Sequence, residues 1–189
     1  MGNLYIGLLH HPMRNRRGEI VTTSMTSMDV HDIARTAKTF GVARYYIVTP
    51  LKTQREIARR LRGYWTEEER TRENTNRGEA LELVSVLDKL DEGILDISDR
   101  EEADPLLVGT SARNLGEREM SYREATKVLR EDSRPMFLLF GTGWGMADEL
   151  TARLDYLLPP IEGTGEFNHL SVRAAVAVTL DRVRGSGRA

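Results

Sequence analysis

Three stretches of this chain carry the residue types that ligand chemistry needs. They are Gly141-Thr-Gly-Trp-Gly145, Pro159-Pro-Ile161 with Gly163, and Asn168-His-Leu-Ser-Val-Arg173. Each brings polar groups next to an apolar run, the combination a buried small-molecule pocket requires. Gly141, Gly143 and Gly145 permit positive φ and are expected to leave backbone N–H groups open to a ligand. The turn is not a P-loop, because no Gly-Lys-Ser/Thr follows, and its spacing is not the dinucleotide G-x-G-x-x-G. No serine sits in a nucleophile elbow, so Ser-His-Asp hydrolysis is not supported. The histidines, His10, His11, His31 and His169, include no i, i+4 pair, and cysteine ligands are absent. No metal site is therefore expected.

The wider composition bounds the function. A chain of 189 residues, 40% hydrophobic and 30% charged, reads as one globular domain over residues 1–184, ending in a frayed tail at 185–189. The absence of cysteine excludes a disulfide scaffold and fits a reducing compartment. Neither a membrane-length apolar run nor a signal peptide is legible, so a cytoplasmic location is expected. The net charge of −2 argues against coating nucleic acid by charge alone. Of the 27 cationic residues only four are lysines, and arginine is the better phosphate fork. Arginines cluster at Arg14-Asn-Arg-Arg17, Arg59-Arg-Leu-Arg62 and Arg70 to Arg77; each cluster reads as a solvated surface or as an RNA-contacting face.

These loops need elements to hold them. Short apolar runs alternate with helical patterns, the signature of a mainly parallel α/β sheet flanked by helices. Strands are expected at Leu4–Leu9, Tyr45–Val48, Leu106–Gly109 and Met136–Phe140. Val30, Ile33, Ala34, Ala37 and Phe40 give a helix over Asp29–Phe40, with Asp29 where an N-cap belongs. Thr53-x-x-Glu56 and Ser121-x-x-Glu124 are capping boxes, the first for a helix through about Leu61. Leu81, Val84 and Leu87 suggest a helix over Glu79–Leu90. Residues 63–78 are polar and read as an excursion from the sheet. The last helix starts near Ser171, where Ser171 and Arg173 could hold an anion. It carries the small-residue stripe Val172, Ala175, Val176, Thr179 and Val183.

Phe140-Gly-Thr-Gly-Trp-Gly-Met146 resembles the second motif of the SPOUT methyltransferases, and Leu158-Pro-Pro-Ile161 through Asn168-His-Leu-Ser-Val-Arg-Ala-Ala-Val-Ala177 resembles the third. Asp29-Val-His-Asp-Ile-Ala-Arg-Thr-Ala-Lys-Thr-Phe-Gly-Val42 resembles the first, with Arg35 on that motif's arginine and Asp29 on its asparagine. The resemblance implies a C-terminal trefoil knot, S-adenosylmethionine as cofactor, no metal, an RNA substrate (tRNA or rRNA), and a homodimer formed through the last helix. It also implies a pocket made from three loops, Thr110 to Arg113, Gly141 to Gly145 and Leu158 to Ser171, with cofactor contacts at Thr110, Ser111, Gly141, Thr142, Gly143, Gly145, Leu158, Ile161, Gly163, His169, Leu170 and Ser171. Arg35 would orient a phosphate or developing oxyanion, or else be a surface arginine. Asp29 would accept a proton or cap its helix. Asp29 and His31 stand where the ribose 2′-O branch has Asn and Gly, and the tRNA guanosine-N1 branch is another relative, so a base and a ribose atom both remain open. A second reading keeps the fold and makes the chain a cofactor- or RNA-binding module without turnover.

Overall fold

Strands buried on both faces read as near-continuous apolar runs, and this chain supplies them at Leu4–Leu9, Arg44–Val48 and Met136–Gly141. The computed structural model describes residues 2–66, 75–116, 118–165 and 167–185. Its elements are β1 (Leu4–Leu9), β2 (Met13–Arg14), β3 (Ile20–Val21), α1 (Ser27–Thr39), β4 (Arg44–Val48), α2 (Lys52–Thr66), α3 (Thr75–Leu81), β5 (Val84–Leu87), α4 (Leu90–Glu101), β6 (Leu106–Gly109), α5 (Tyr122–Glu131), β7 (Met136–Gly141), α6 (Asp148–Thr151), β8 (Tyr156–Leu157) and α7 (Val172–Arg184). Of the expected excursion over 63–78 and the expected tail, residues 67–74 and 186–189 lie outside the described residues, as do Arg70 and Arg72 of the third arginine cluster.

Six strands form one sheet in the order β5-β4-β1-β7-β6-β8, with parallel pairing throughout. Side chains alternate between its faces. Leu4, Ile6, Leu8, Tyr45, Ile47, Leu138 and Phe140 pack into one layer with α1 and α7. Tyr5, Leu9, Tyr46, Val48, Phe137 and Leu139 face the other, with Leu90 and Ile97 of α4. Gly7 falls on this second face because a Cβ there would sit 2.9 Å from Leu139 and 3.0 Å from Phe137.

Two local expectations are corrected. The helix expected over Glu79–Leu90 is the end of α3 followed by β5. Leu81, Val84 and Leu87 mimic a helical spacing, but Val84 and Val86 alternate into the core beside Tyr45 and Ile47. Asp29 is not the N-cap of α1. Thr26 is, and Asp29 is the third helical residue, closing a capping box on Thr26. The Ser121–Glu124 box starts α5 as expected, whereas α2 begins at Lys52, so that Thr53 lies inside it, and runs on to Thr66.

Because the sheet is parallel, the residues that follow β1, β6, β7 and β8 emerge at one edge. This is where α/β sheets collect ligands, and all three loops singled out in the sequence open there.

Candidate active site

A cavity of about 470 Å³ lies at that edge, inside the range that holds drug-sized and cofactor-sized molecules. Thr110, Ser111, Gly141, Thr142, Gly143, Gly145, Ile161, His169 and Leu170 line it, so nine of the expected cofactor contacts share one space. Leu158, Gly163 and Ser171 do not. Leu158 is buried in the core and donates its N–H to Gly109 O at 2.9 Å. Gly163 is exposed on the loop. The Ser171 oxygen accepts from Ala174 N at 3.3 Å, which makes it the N-cap of α7.

Hydrogen bonds tie the loops to one another. Asn168 Nδ2 donates to Ala112 O at 3.1 Å, so the third loop hangs on the first. Arg113 Nη2 donates to Trp144 O at 3.1 Å, joining the first loop to the glycine turn. Tyr122 OH donates to Pro159 O at 3.1 Å. Arg113, Trp144 and Asn168, which lie inside the three loops expected to make the pocket, also line the cavity. Tyr122, Ala175 and Thr179 line it too and were not expected there; Tyr122 follows the second capping box, the signal that could have found it.

Of the amides expected to be open in the glycine turn, Gly143 N has no acceptor among the described residues, whereas its neighbours are used within the protein. Trp144 N donates to Arg14 O at 3.0 Å, Gly145 N to Thr142 O at 3.1 Å, and Thr142 N faces Met13 Sδ at 3.3 Å. Positive φ at Gly143 (+62°) and Gly145 (+102°) folds the turn back on the β2–β3 hairpin. Gly141 is required on its core side: a Cβ there would lie 2.8 Å from Met146 Cγ and 3.2 Å from Met146 N. A valine at Gly141 is therefore a test of the turn, not of ligand binding.

A chain of side chains reaches this turn from the core. The Thr142 hydroxyl donates to Leu9 O at 2.9 Å, the Thr23 and Thr142 oxygens are 2.5 Å apart, and His10 Nδ1 is 2.9 Å from Thr23 Oγ1. With the Thr142 proton committed to Leu9, the Thr23 proton goes to Thr142 and His10 donates from Nδ1. That leaves Nε2 as the deprotonated nitrogen, buried and without a partner among the described residues. Burial, opposed in part by the Asp29 charge, lowers the His10 pKa from 6.5 to about 4, so the ring is neutral.

Neither expected catalytic side chain lines the cavity. Asp29 is buried, and its carboxylate is engaged on both oxygens. Oδ2 accepts from Thr26 N at 2.9 Å and from Thr26 Oγ1 at 2.7 Å, and Oδ1 accepts from Arg173 Nη1 at 2.8 Å. Arg173 also lies 3.6 Å from Asp32. The expected anion site at the start of α7 is thus filled by two carboxylates of α1. Arg35 is exposed on α1, and among the described residues no carboxylate lies within ion-pair distance of it. His31 packs instead against Trp65, with ring centroids 6.0 Å apart. No group of residues suited to a metal ion occurs among the described residues.

The match to known families decides the assignment: the family of S-adenosylmethionine-dependent RNA methyltransferases matches residues 3–185. The chain belongs to this family. It is 42% identical over 186 residues to an uncharacterised protein of Aquifex aeolicus, covering 98% of this chain and 90% of that protein. It is 40% identical over 183 residues to a tRNA (guanine-N(1)-)-methyltransferase of Oleidesulfovibrio alaskensis, covering 97% of this chain and 42% of that protein. The chain therefore spans about two fifths of that longer family relative. Among solved structures, the SpoU methyltransferase AviRb of Streptomyces viridochromogenes in complex with the cofactor AdoMet superposes with a TM-score of 0.57 at 14% identity, over 98% of this chain and 59% of that one. At that identity the likeness shows the fold alone, a mainly parallel α/β sheet flanked by helices. No helix among the described residues is long and apolar enough to cross a membrane.

Proposed function

We propose that this chain methylates tRNA or rRNA, taking the methyl group from S-adenosylmethionine bound in the cavity of the three loops, and works as a cytoplasmic homodimer with a trefoil-knotted cofactor site. The observation that carries the reading is the convergence of nine expected contacts, from three loops far apart in the chain, on one cavity of cofactor size. The walls suit the cofactor: Ile161, Leu170 and Val172 offer apolar surfaces for an adenine ring, and the Thr110, Ser111 and Thr142 hydroxyls lie beside them. S-adenosylmethionine supplies an electrophilic methyl on a sulfonium, so the protein has to bring a nucleophile in line and let a proton leave. His169, whose imidazole lines the cavity, is the side chain assigned to take that proton.

Arg35 is assigned to hold the substrate phosphate or the developing oxyanion. Its exposure on α1, outside its own cavity, fits service to the site of a second copy. Support for a dimer through α7 comes from the half-buried Ala174, Ala177 and Val178, which remain after Val176, Thr179, Leu180 and Val183 are used by the core. tRNA is named as substrate for two relatives, of which this chain spans 42%.

Cofactor titration tests the cavity. Calorimetry with S-adenosylhomocysteine should give saturable binding, and Ala175→Leu, which adds volume to the cavity from α7, should weaken it by about tenfold or more, the equivalent of about 1.4 kcal/mol. Undiminished affinity in Ala175→Leu would locate the cofactor elsewhere.

A further inference from the structure

The hairpin of β2 and β3 bears three arginines and is joined to the cofactor cavity through its backbone. Arg14 N donates to Gly145 O at 2.8 Å, and Ala147 N donates to Pro12 O at 3.1 Å, in addition to the Trp144–Arg14 bond. Arg14 spends its charge on Asp148 at the start of α6. Arg16 and Arg17 are exposed at the tip, and among the described residues neither has a carboxylate partner. The tip is built to hold its shape. Asn15 Oδ1 accepts from Arg17 N at 2.9 Å and from Glu19 N at 3.0 Å, and Gly18 takes φ +81°. The Glu19 carboxylate is turned onto Asn15 Nδ2 at 2.7 Å.

On the other side of the glycine turn a row of rings leads from solvent to the cavity. Phe167 is 80% exposed, and its ring lies edge-on to His169 at 5.6 Å. His169 in turn meets Trp144 at 6.2 Å, and both of these line the cavity. Phe167 and the 49%-exposed Trp144 flank His169, so the cavity mouth presents a run of rings to solvent rather than a single one, a surface suited to a ligand with a π face.

We propose that the hairpin and the ring row form a clamp for single-stranded RNA: Arg16 and Arg17 hold the phosphates beside the target nucleotide, and Phe167 stacks on its unpaired base at the cavity mouth. The clamp rests on the methyltransferase reading above. Two guanidinium forks at a rigid tip suit adjacent phosphates, and an unpaired base finds its stacking partner in an exposed aromatic ring. In a chain of net charge −2, RNA affinity has to come from such a local concentration of cations and rings.

Fluorescence anisotropy with a labelled mixed-sequence RNA of about 20 nucleotides, over about 50–200 mM salt, reads the clamp directly. Arg16→Ala/Arg17→Ala should weaken binding by about tenfold or more and reduce the slope of log affinity against log salt by about 1.4, two phosphates at about 0.7 each. Phe167→Ala should weaken binding about 5- to 100-fold with the slope unchanged. Calorimetry with S-adenosylhomocysteine accompanies every variant and should stay at the wild-type value. A wild-type chain that binds RNA but no S-adenosylhomocysteine would sink the cofactor assignment and leave the clamp standing. Unchanged RNA affinity and slope in the arginine pair would overturn the clamp. So would a Phe167→Ala variant that dissociates a dimer in sedimentation while binding RNA normally, because the ring would then belong to an interface between copies.

Discussion

At the end of β1, His10 is wholly enclosed, and burial holds its pKa at about 4 against an ordinary 6.5. The unfolded chain therefore binds a proton here at a pH where the folded chain does not. Stability from this group is complete above pH 6.5, falls as pH drops from about 6.5 to about 4, and is level below that. Urea unfolding across this window should show the decline, and His10→Asn, which retains a side-chain N–H for Thr23, should flatten it. A variant with the wild-type pH profile would contradict the burial account. Nitrogen NMR should find Nδ1 protonated and Nε2 bare. At the same scale, the roles of Arg35 and Asp29 have separated. Both come from the first motif, but Asp29 is locked into a capping box and an ion pair while Arg35 is exposed.

The Asp29–Arg173 pair fastens α1 to α7, and so fixes the first motif against the third. A double-mutant cycle on Asp29→Asn and Arg173→Met should return a coupling of about 1–3 kcal/mol by urea unfolding, since the Asp29 side chain is 7% exposed and that of Arg173 is 28% exposed. A coupling indistinguishable from zero would make the contact incidental. How legible these elements are in the sequence depends on how local their causes are. β1, β4, β6 and β7 are apolar runs, and α5 and α7 open on Ser121 and Ser171, so their own residues announce them. β5 is hidden because Leu81, Val84 and Leu87 repeat every three residues, and only pairing with β4 makes a strand of them. α4 is hidden by its acidic face, with Asp91, Glu92, Asp96, Asp99 and Glu101 outnumbering its buried side chains. The cavity is legible as three loops. Its closure by Arg113, Asn168 and Tyr122 is not, because those bonds join residues 31 to 56 positions apart in the chain.

At the scale of the whole molecule, a fully parallel six-stranded sheet delivers three loops to one edge and buries Val176, Thr179 and Val183 of the α7 stripe inside the protomer, while Val172 and Ala175 line the cavity. In the proposed dimer the half-buried Ala174, Ala177 and Val178 and the exposed Arg35 are offered to the second copy. The central claim is that this assembly transfers a methyl group to RNA. The measurement that tests it most directly is incorporation of labelled methyl from S-adenosylmethionine into tRNA and rRNA from a strain lacking the gene. Wild-type protein should label a defined RNA. Arg35→Ala should lose about 2–4 kcal/mol of transition-state stabilisation, about 30- to 1000-fold in rate, with cofactor affinity intact. Arg35→Lys should restore little, because one ammonium does not reproduce a planar fork. Binding of the cofactor with no methyl transferred to either RNA pool would contradict the claim and make the chain a binding module.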